Sequence, residues 1–421
     1  MRSKSHLVYR IGIVVVIVAI VTTGAVIGIA ETHSGSHPSK QLLFLEKKLN
    51  AAERTLRQPS AQAARSRSIP IISVPAWAKH TVGVASASNM AFTSSKDGWY
   101  LLGGYVNGGG LLFHTTDGAK TWRPVPLTEK YVGNGIFFVN SNDGWIFGSK
   151  NGILHTADGG NTWTVENGPN NGMDNLMYVI EFASATQGWG VSNTGRLYSS
   201  SDAGSSWSQV TSAPSGLTDA CQSSPTIGWV INVKGVWKTT DGGTTWTLSF
   251  PMPAGAAAGA SNLSIACSGS NIWAEFPVEG GAGSNASNVI VSASTNGGAS
   301  WSNVIVNGVS GQKGIGPQFP VGSGVWGGDN VAVNGSTAIL FNNYAPEVSV
   351  PPYIKTYTST NGGKSFTPVT VFNGTTDNVA LSLVNSSLGW IALTDGNTLS
   401  VMFYETTDSG MTWTLAGTGN F

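Results

Sequence analysis

The chain has 421 residues, including 55 glycines and 15 tryptophans, and only 10% of its residues are charged. This composition is typical of a protein rich in β-strands and turns rather than in helices. Basic and acidic residues both number 22, so the net charge gives no reason to expect nucleic acid or an acidic partner.

The first predicted element is an apolar run at residues 11–30, IGIVVVIVAIVTTGAVIGIA, which carries no charge. A run of this length is enough for a helix to cross the ~30 Å hydrocarbon core of a membrane. Three basic residues precede it and the next is Lys40, so we expect residues 1–10 in the cytoplasm and the body of the protein outside. A cleaved signal peptide is the alternative, although its apolar run usually has about 7–15 residues.

Residues 31–81 are predicted to form a stalk helix and a linker. The apolar residues of the helix follow a 3-4-3-4 spacing that places them on one face, namely Leu42, Leu45, Leu49, Ala52 and Leu56. Two heptads are fewer than the three or four that indicate a coiled coil, so a lone helix is favoured over oligomerisation through the stalk. A segment rich in Ser and Arg, residues 57–70, then reads as a linker.

An eight-residue pattern recurs seven times after residue 114. It reads Ser/Thr, any residue, Asp/Asn, any residue, Gly, any residue, Ser/Thr, aromatic, and only Ala119 departs from the glycine position. Its third position is occupied by Asp117, Asp158, Asp202, Asp241, Asn296, Asn361 and Asp408. These positions are 39 to 65 residues apart, a period typical of a propeller or solenoid built from one repeated unit.

A tryptophan precedes the octapeptide in six of the seven repeats and opens a short apolar run. These residues are Trp99, Trp145, Trp189, Trp229, Trp273 and Trp390. The sixth repeat lacks it, and Ala338 is expected in its place. Residues 135–167 show four strand-like stretches separated by Asn, Asp and Gly turns. Seven such repeats predict an all-β fold, a seven-bladed β-propeller over residues 82–421.

The octapeptides, such as TTDGGTTW at residues 239–246, resemble the Asp-box, or BNR repeat. That repeat is found in sialidases, in sortilin-family receptors, in Asp-box xyloglucanases and in the photosystem II stability/assembly factor propeller. The tandem arrangement of DGW and TTDGG.TW is most similar to the assembly-factor branch. The resemblance implies the propeller fold more securely than it implies any function.

Each Asp-box is expected to serve the fold. Its Asp or Asn side chain can accept hydrogen bonds from backbone N–H groups of the turn, and its glycines tolerate positive φ. The terminal aromatic residue is expected to bury its ring between neighbouring blades. A catalytic or metal-binding array would require these side chains to meet, but they belong to seven different blades. The boxes are therefore predicted to be structural.

Strand parity separates the two ends of the predicted propeller. The boxes and the turns between first and second strands lie at one end and are short, whereas loops at the other end vary in length, as at 279–288, 306–330 and 342–353. Variable loops on a uniform scaffold usually carry binding residues. Aromatic candidates for that face are Tyr105, Tyr131, Tyr178, Phe319, Trp326, Tyr344 and Tyr353.

The arginines, carboxylates and histidines of the body bear on whether the protein is an enzyme. A sialidase needs three arginines around the substrate carboxylate, and residues 71–421 contain only Arg123 and Arg196, so the chain is not a true sialidase. A glycoside hydrolase or lyase needs paired carboxyl groups, for which Glu181 and Asp219 near the central channel are candidates, although isolated polar residues in a solvated channel are the simpler interpretation. No metal or cofactor is expected, since the histidines of the body, His80, His114 and His155, are predicted strand residues.

Cys221 and Cys267 are the only cysteines, at similar places in the fourth and fifth repeats. Outside the cytoplasm they could form a disulfide if their Cα atoms lie within about 7 Å, or remain two buried thiols.

The sequence favours a membrane-anchored extracytoplasmic propeller that binds a protein or glycan without catalysis. A glycoside hydrolase or lyase, and a structural role at the cell envelope, are the alternatives.

Overall fold

The computed structural model describes residues 14–21, 24–31, 88–102, 111–127, 133, 135–149, 152–169, 176–260, 262–278, 288–318, 323–324, 331–344, 353–374, 376, 378–395 and 400–420. The chain divides into two compact units, Met1–Ser68 and Ile69–Phe421.

The first unit contains two antiparallel strands, β1 (Val14–Val21) and β2 (Gly24–Glu31). They lie where the sequence predicted a membrane-spanning helix. Valine and isoleucine make up seven of the eight residues of β1 and three of the eight of β2, and side chains branched at Cβ favour extended backbone over helix. In the part of the chain that the structure describes, no helix has the length and apolar character needed to cross a membrane. The predicted stalk helix lies outside the described residues.

The second unit contains seven antiparallel sheets within the described residues, each built from consecutive strands. Blade one comprises β3 (Ser88–Phe92), β4 (Gly98–Leu102), β5 (Leu111–Thr115) and β6 (Arg123–Val125). Blade two comprises β7 (Gly135–Phe138), β8 (Gly144–Ser149), β9 (Gly152–Thr156) and β10 (Thr164–Glu166). Blade three comprises β11 (Met177–Phe182), β12 (Gly188–Ser192), β13 (Leu197–Ser200) and β14 (Ser208–Gln209).

The remaining blades follow the same plan, with one extra strand in blade six. Blade four comprises β15 (Asp219–Gln222), β16 (Gly228–Asn232), β17 (Gly235–Thr239) and β18 (Thr247–Pro251). Blade five comprises β19 (Ser264–Ser268), β20 (Asn271–Pro277), β21 (Val289–Ser294) and β22 (Ser302–Asn307). Blade six comprises β23 (Ser323–Gly324), β24 (Val331–Asn334), β25 (Thr337–Tyr344), β26 (Tyr353–Ser359) and β27 (Thr367–Asn373). Blade seven comprises β28 (Asn378–Leu383), β29 (Gly389–Asp395), β30 (Ser400–Thr406) and β31 (Thr414–Asn420).

The first strands of neighbouring blades contact one another around the ring, and the later strands of each blade lie progressively further out. In blade six the inner position is shared, because β23 and β24 both pair with β25. The all-β seven-bladed propeller predicted from the repeats is confirmed.

The register of blade six corrects one sequence assignment. Ala338 pairs with Ser359, the first residue of the box, as Gly389 pairs with Thr406 in blade seven. Ile339 therefore takes the place that tryptophan holds in the other blades, and Ala338 takes the place of the preceding glycine. The octapeptide alone did not reveal this shift, because it depends on how two strands are aligned.

Each blade interface holds its own hydrophobic core. The tryptophan on the second strand packs towards the following blade, and five of these side chains are almost fully buried, namely Trp99, Trp145, Trp229, Trp273 and Trp390. The box aromatic of the following blade packs back onto the same core, as Trp163 does against Trp99 at 5.9 Å and Phe366 against Trp273 at 6.2 Å between ring centroids. Two repeated motifs of different blades thus meet at one interface.

Side chains close the ring between blades seven and one. The Phe92 ring stacks on Trp390 with centroids 3.8 Å apart, and the backbone N–H of Phe92 donates to Ser382 Oγ at 2.9 Å. Tyr100 Oη and Thr394 Oγ1 are hydrogen-bonded at 2.7 Å. Since each of these two blades is made of consecutive strands, the closure depends on packing and on these polar contacts.

Candidate binding face

The box turns fold around their Asp or Asn side chains. In blade four, Asp241 Oδ1 accepts hydrogen bonds from Thr239 Oγ1 at 2.7 Å and from the Thr245 backbone N–H at 2.9 Å. Its Oδ2 accepts from Thr245 Oγ1 at 2.6 Å, and the Gly243 N–H donates to Thr239 Oγ1 at 3.0 Å. The carboxylate is thus occupied by donors of its own turn.

The same arrangement recurs in every box. The backbone N–H four residues on donates to Asp117, Asp158, Asp202, Asn296, Asn361 and Asp408 at 2.8–3.0 Å. In the two Asn boxes the side-chain amide donates to a serine hydroxyl where the carboxylate would accept, as Asn296 Nδ2 does to Ser300 Oγ at 2.8 Å. Asp and Asn are therefore interchangeable in this turn.

These hydrogen bonds also change the acidity of the box carboxyl groups. The Thr245 hydroxyl, followed by the Thr245 N–H, lowers the pKa of Asp241 from 3.8 to about 2. The Ser206 hydroxyl lowers the pKa of Asp202 in the same way. A carboxyl group with so low a pKa is ionised at neutral pH and is a poor proton donor. The hydrogen bonds of the turn therefore stabilise the ionised form of these two box carboxyl groups.

Backbone hydrogen bonds join the boxes to the turns between first and second strands. The Gly159 N–H donates to Asn142 O at 3.0 Å, and the Gly242 N–H donates to Thr226 O at 2.9 Å. Both kinds of turn consequently lie at one end of each blade, which we call the box end. The turns between second and third strands and the connections between blades lie at the other end, which we call the loop face.

On the loop face, loops of neighbouring blades are hydrogen-bonded one to the next. The Leu217 N–H donates to Gly195 O at 3.0 Å. Thr218 Oγ1 donates to Leu263 O at 2.8 Å, and Gln312 Nε2 donates to Ala254 O at 2.9 Å. These contacts connect residues 193–196, 210–218, 252–263 and 308–318, which we call the linked loops. The described part of the loop face over blades three to five is therefore one continuous surface.

The turn between the second and third strands of blade four joins the same surface. Asn232 Nδ2 donates to Ser215 O at 2.9 Å, and Asn232 Oδ1 accepts from the Lys234 N–H at 2.9 Å. The neighbouring Val233 is exposed. One asparagine thus holds this turn against the connection from blade three to blade four.

Exposed apolar and basic side chains lie on the loop face at and beside the linked loops and the blade-four turn. Tyr178, Val233 and Ile315 are exposed to 56%, 41% and 45%. The described residues of the linked loops and of the blade-four turn include Arg196, Lys234 and Lys313 and contain no Asp or Glu. The surface therefore offers apolar contacts beside positive charge, in a chain whose net charge is zero.

The structure describes few of the aromatic candidates predicted for this face. Tyr178 lies near the start of the inner strand of blade three, at the loop face. Tyr353 begins β26 at the same end, with Lys355 Nζ 4.7 Å from its ring centroid. Tyr344 ends β25, and its side chain lies outside the described set. The others lie outside the described residues, namely Tyr105, Tyr131, Phe319 and Trp326.

The two candidate carboxylates, Glu181 and Asp219, occupy different environments. Asp219 Oδ2 accepts a hydrogen bond from the Ile265 backbone N–H of blade five at 2.8 Å, and Oδ1 accepts from the Ala220 N–H at 2.7 Å. Asp219 therefore joins two inner strands. Glu181 lies opposite Trp189 in blade three and is half-buried.

A disulfide joins the same two inner strands. Cys221 of β15 and Cys267 of β19 are bonded, with their Cα atoms 6.0 Å apart. Each cysteine lies two residues after a member of the Asp219–Ile265 pair. Blades four and five are therefore connected covalently as well as by hydrogen bonds.

The histidines cover tryptophan rings, a role that the sequence did not indicate. His114 stacks on Trp99 with ring centroids 3.8 Å apart, and its Nε2 lies 2.7 Å from Asp97 Oδ1. His155 stacks on Trp145 at 4.9 Å, and burial lowers its pKa. His80 lies outside the described residues. Across the described blades, no group of three or more His, Cys, Asp or Glu side chains could hold a metal ion.

Comparison with known proteins agrees with this architecture. A family model described as photosynthesis system II assembly factor YCF48 matches residues 133–261, which comprise blades two to four. The photosystem II assembly lipoprotein Ycf48 of Synechococcus sp. (strain CC9902) is 26% identical over 147 residues, which are 34% of this chain and 44% of that protein. The chain spans less than half the length of the curated relatives that it matches.

Two solved structures show the same fold. YCF48 bound to D1 peptide matches with a TM-score of 0.51 and 16% identity, over 80% of this chain and 97% of that chain. An oligogalacturonate lyase in complex with manganese also reaches 0.51, with 10% identity, over 76% of this chain and 88% of that chain. Equal scores for a binding protein and an enzyme show that the fold by itself does not choose between them. The chain is an Asp-box (BNR-repeat) β-propeller similar to the photosystem II assembly factors.

Proposed function

We propose that this protein is a non-catalytic binding module that docks a protein partner on its loop face, outside the cytoplasm. The observation that carries the proposal is the set of linked loops over blades three to five. Loops that already hold one another in place lose little conformational freedom when a partner binds, which favours affinity. At the box end, by contrast, the Asp or Asn side chain of each box is already bound to donors of its own turn.

The chemistry of the linked loops supports an extended peptide segment as the partner. Exposed Tyr178, Val233 and Ile315 provide apolar contact area, and aromatic side chains are favoured at binding surfaces. Lys234 and Lys313 would complement carboxylates of the partner and favour encounter with it. The related YCF48 has been solved with a D1 peptide bound, which supports the same kind of ligand here.

The binding proposal is tested with the full-length protein and cross-linking to membrane extracts, followed by affinity measurement with a synthetic peptide of the cross-linked segment. We expect cross-links at the linked loops, and at least a tenfold loss of affinity in Tyr178→Ala combined with Lys234→Glu. Leu248→Ala is the matched control, because Leu248 is also exposed but lies on the outer strand of blade four. Cross-links confined to the box end, or unchanged affinity in the double variant, would contradict the proposal.

We also propose that the apolar segment 11–30 attaches the propeller to the outer side of the membrane. Its uncharged length and the basic residues before it support this, as does the relative named a lipoprotein. The full-length chain should remain in the membrane pellet after alkaline carbonate extraction, and a chain lacking residues 1–30 should not be exported. Recovery of the full-length chain in the soluble extract, with its amino terminus intact, would contradict the attachment.

A lyase or glycoside hydrolase is the alternative function, because the oligogalacturonate lyase shares the fold to the same degree. Its test is incubation of the purified full-length protein with an oligosaccharide panel that includes oligogalacturonate and manganese. Product formation that is lost in Glu181→Gln would favour the enzyme over the binding module. The binding proposal predicts no turnover in either protein.

A further inference from the structure

Asn342 of blade six is a buried amide without a partner. Its side chain has 0% exposure, and neither Oδ1 nor Nδ2 is hydrogen-bonded to any residue that the structure describes. Buried polar groups of folded proteins are nearly always hydrogen-bonded, because an unsatisfied donor or acceptor keeps the full cost of leaving water. The amide of Asn342 therefore calls for a polar group that the described propeller does not supply.

The register of blade six places Lys355 directly beside Asn342. The two residues are paired across β25 and β26, so their side chains leave the same face of the sheet and their Cβ atoms lie about 4.5–5.5 Å apart. Lys355 is half-buried, and its Nζ lies 4.7 Å from the centroid of the Tyr353 ring. In the described part of the chain, Lys355 forms no ion pair and no hydrogen bond. An unpaired cation thus adjoins an unpaired amide.

The face that carries both residues is turned towards blade five. Side chains two residues apart on a strand lie on the same face. Leu340 and Tyr357 stand in this relation to Asn342 and Lys355, and both belong to the core that contains Trp273 of blade five. The two unpartnered groups therefore lie at the interface between blades five and six.

The described titratable groups of this interface leave the charge of Lys355 unpaired. Glu275 of blade five, the only carboxylate among the buried residues that the structure describes, accepts a hydrogen bond from Ser264 Oγ of its own sheet at 3.2 Å. Burial, and to a lesser degree the nearby Tyr353, raises the pKa of Tyr357 to about 12, so its phenol is neutral at physiological pH. The charge of Lys355 therefore favours a ligand that brings a negative group.

Both residues lie near the loop face. Asn342 is the third residue from the end of β25, and Lys355 is the third residue of β26. The three connections of variable length, 279–288, 306–330 and 342–353, all join strands of blades five and six. Because variable loops on a uniform scaffold usually carry binding residues, this part of the loop face is a reasonable place for a ligand.

We propose that Asn342 and Lys355 bind a small carboxylate that carries a hydrogen-bond donor on the adjacent carbon, as hydroxy acids and amino acids do. The carboxylate accepts from Lys355 Nζ and Asn342 Nδ2, and the hydroxyl or ammonium of the ligand donates to Asn342 Oδ1. Each of the three protein groups is then satisfied. A charge-assisted hydrogen bond is stronger than the contact of a cation with an aromatic ring, so Lys355 Nζ turns from Tyr353 to the carboxylate.

The test is isothermal titration of the full-length protein with lactate, alanine and propionate. These acids share a three-carbon skeleton and differ only in the hydroxyl, ammonium or hydrogen on the second carbon. We expect lactate or alanine to bind at least tenfold more tightly than propionate, which offers no donor to Asn342 Oδ1. The comparison of lactate with alanine distinguishes a hydroxy acid from an amino acid as the source of the ligand.

Two variants assign the binding to the two side chains. Asn342→Leu replaces an unpartnered amide with an apolar side chain of similar size, so it should weaken binding at least tenfold without lowering the melting temperature. Lys355→Met removes the charge, keeps the length of the side chain and should weaken all three acids at least tenfold. Lys364→Met is the matched control, because Lys364 belongs to the same blade but is exposed in the box, and it should leave binding unchanged.

Three results would overturn the site. They are no binding of either lactate or alanine, equal binding of propionate, and unchanged binding in Asn342→Leu. A crystal structure that shows water alone at Asn342 in saturating lactate and alanine would also overturn it. The site goes beyond the docking of a peptide on the linked loops, and its test uses no peptide. Failure of the carboxylate site would therefore leave the proposed function standing, and loss of peptide binding would leave the site standing.

Discussion

Contacts between blades occur at both ends of the propeller, at the box end from Lys238 Nζ to Gly297 O and from Ser249 Oγ to Gly298 O, but the turns themselves are made differently at the two ends. At the box end, the side-chain bonds of each turn span two to four residues, as Asp241 does with Thr239 and Thr245. On the loop face, Thr218 and Leu263 are 45 residues apart, and Gln312 and Ala254 are 58 residues apart. A turn that satisfies itself can be repeated in every blade, whereas a surface built from distant loops is made once. The difference explains why the repeats carry the fold and why the proposed binding site does not repeat.

The largest effect should come from removing a tryptophan on which a box rests. Trp145 is fully buried, stacks on Phe182 at 3.7 Å and donates from Nε1 to Ala203 O at 2.8 Å. We expect Trp145→Ala to lower the free energy of unfolding by about 3–5 kcal/mol, measured by urea denaturation. Trp246→Ala is the control, because this box tryptophan is only half-buried and its removal should lower the free energy of unfolding by less. Equal costs would mean that the two tryptophan positions are equivalent.

The next largest effect should come from a glycine at the fifth position of a box. Gly160 has φ +76°, and a Cβ there would collide with the Trp99 ring. Gly160→Ala should cost about 2–4 kcal/mol of unfolding free energy, because it combines left-handed strain with overpacking. Ser409→Gly tests the strain alone, since Ser409 has φ +65° where most boxes have glycine, and it should raise the melting temperature slightly. A lower melting temperature in Ser409→Gly would contradict this account.

A box carboxylate should matter for its hydrogen bonds and not for its charge. Asp117 accepts from the Thr121 N–H at 2.9 Å and from the Thr121 hydroxyl at 2.6 Å. Asp117→Ala should cost about 1–2 kcal/mol in urea unfolding, as loss of a capping side chain does. Asp117→Asn should cost much less, because Asn296 and Asn361 already make this turn. An equal loss in both variants would show that charge is essential.

Removing a hydrogen bond between two linked loops should have a smaller effect on global stability. It should, however, change amide exchange in the neighbouring blade as well as in its own. Thr218→Val removes the hydroxyl that donates to Leu263 O and keeps the shape of the side chain. We expect a loss of about 0.5–1.5 kcal/mol in unfolding free energy. Amide exchange should rise in residues 252–263 of the next blade and stay unchanged in the box at 239–246. Exchange limited to residue 218 and its neighbours would show that the loops are not coupled.

The smallest effect should be the pH dependence of a single box. The folded protein lowers the pKa of Asp241 from 3.8 to about 2, so its ionised form contributes stability above pH 3.8. That contribution is lost as the pH falls through the folded pKa. Asp241→Asn should therefore flatten the decline of the urea midpoint between pH 4 and pH 2. Parallel pH profiles for the wild type and the variant would contradict the assigned pKa.

Much of the fold could be predicted because the box is a local structure. The position of Asp241 relative to Thr239 and Thr245 determines the turn, and repetition of that pattern predicts the number of blades and the phase of their strands. The sequence predicted Ala338 in the place of the missing tryptophan, whereas the structure has the next residue, Ile339, in that place. The error arises because the residue opposite the box depends on strand alignment. The sequence predicted a membrane-spanning helix at residues 11–30, whereas the structure has strands β1 and β2 there. A run rich in Val and Ile suits either conformation.

Much less of the candidate site could be predicted. Tyr178 was named from the sequence because an aromatic residue near a variable loop is a simple signal. Val233, Ile315 and Lys313 gave no such signal, since a lone apolar or basic residue in a loop has many possible roles. The sequence indicates Asp219 as a candidate carboxylate but gives no sign that it accepts a hydrogen bond from the Ile265 N–H of the next blade.

The sequence by itself determined the seven boxes, their phase and the end of each blade at which they lie, because the bonds that make a box are formed within eight residues. Only the tertiary structure decided that Gly195, Leu217, Thr218 and Leu263 belong to one surface, and that Cys221 and Cys267 lie close enough to bond. Those contacts join residues of different blades. Their distances follow from the closure of the ring, which no local pattern encodes.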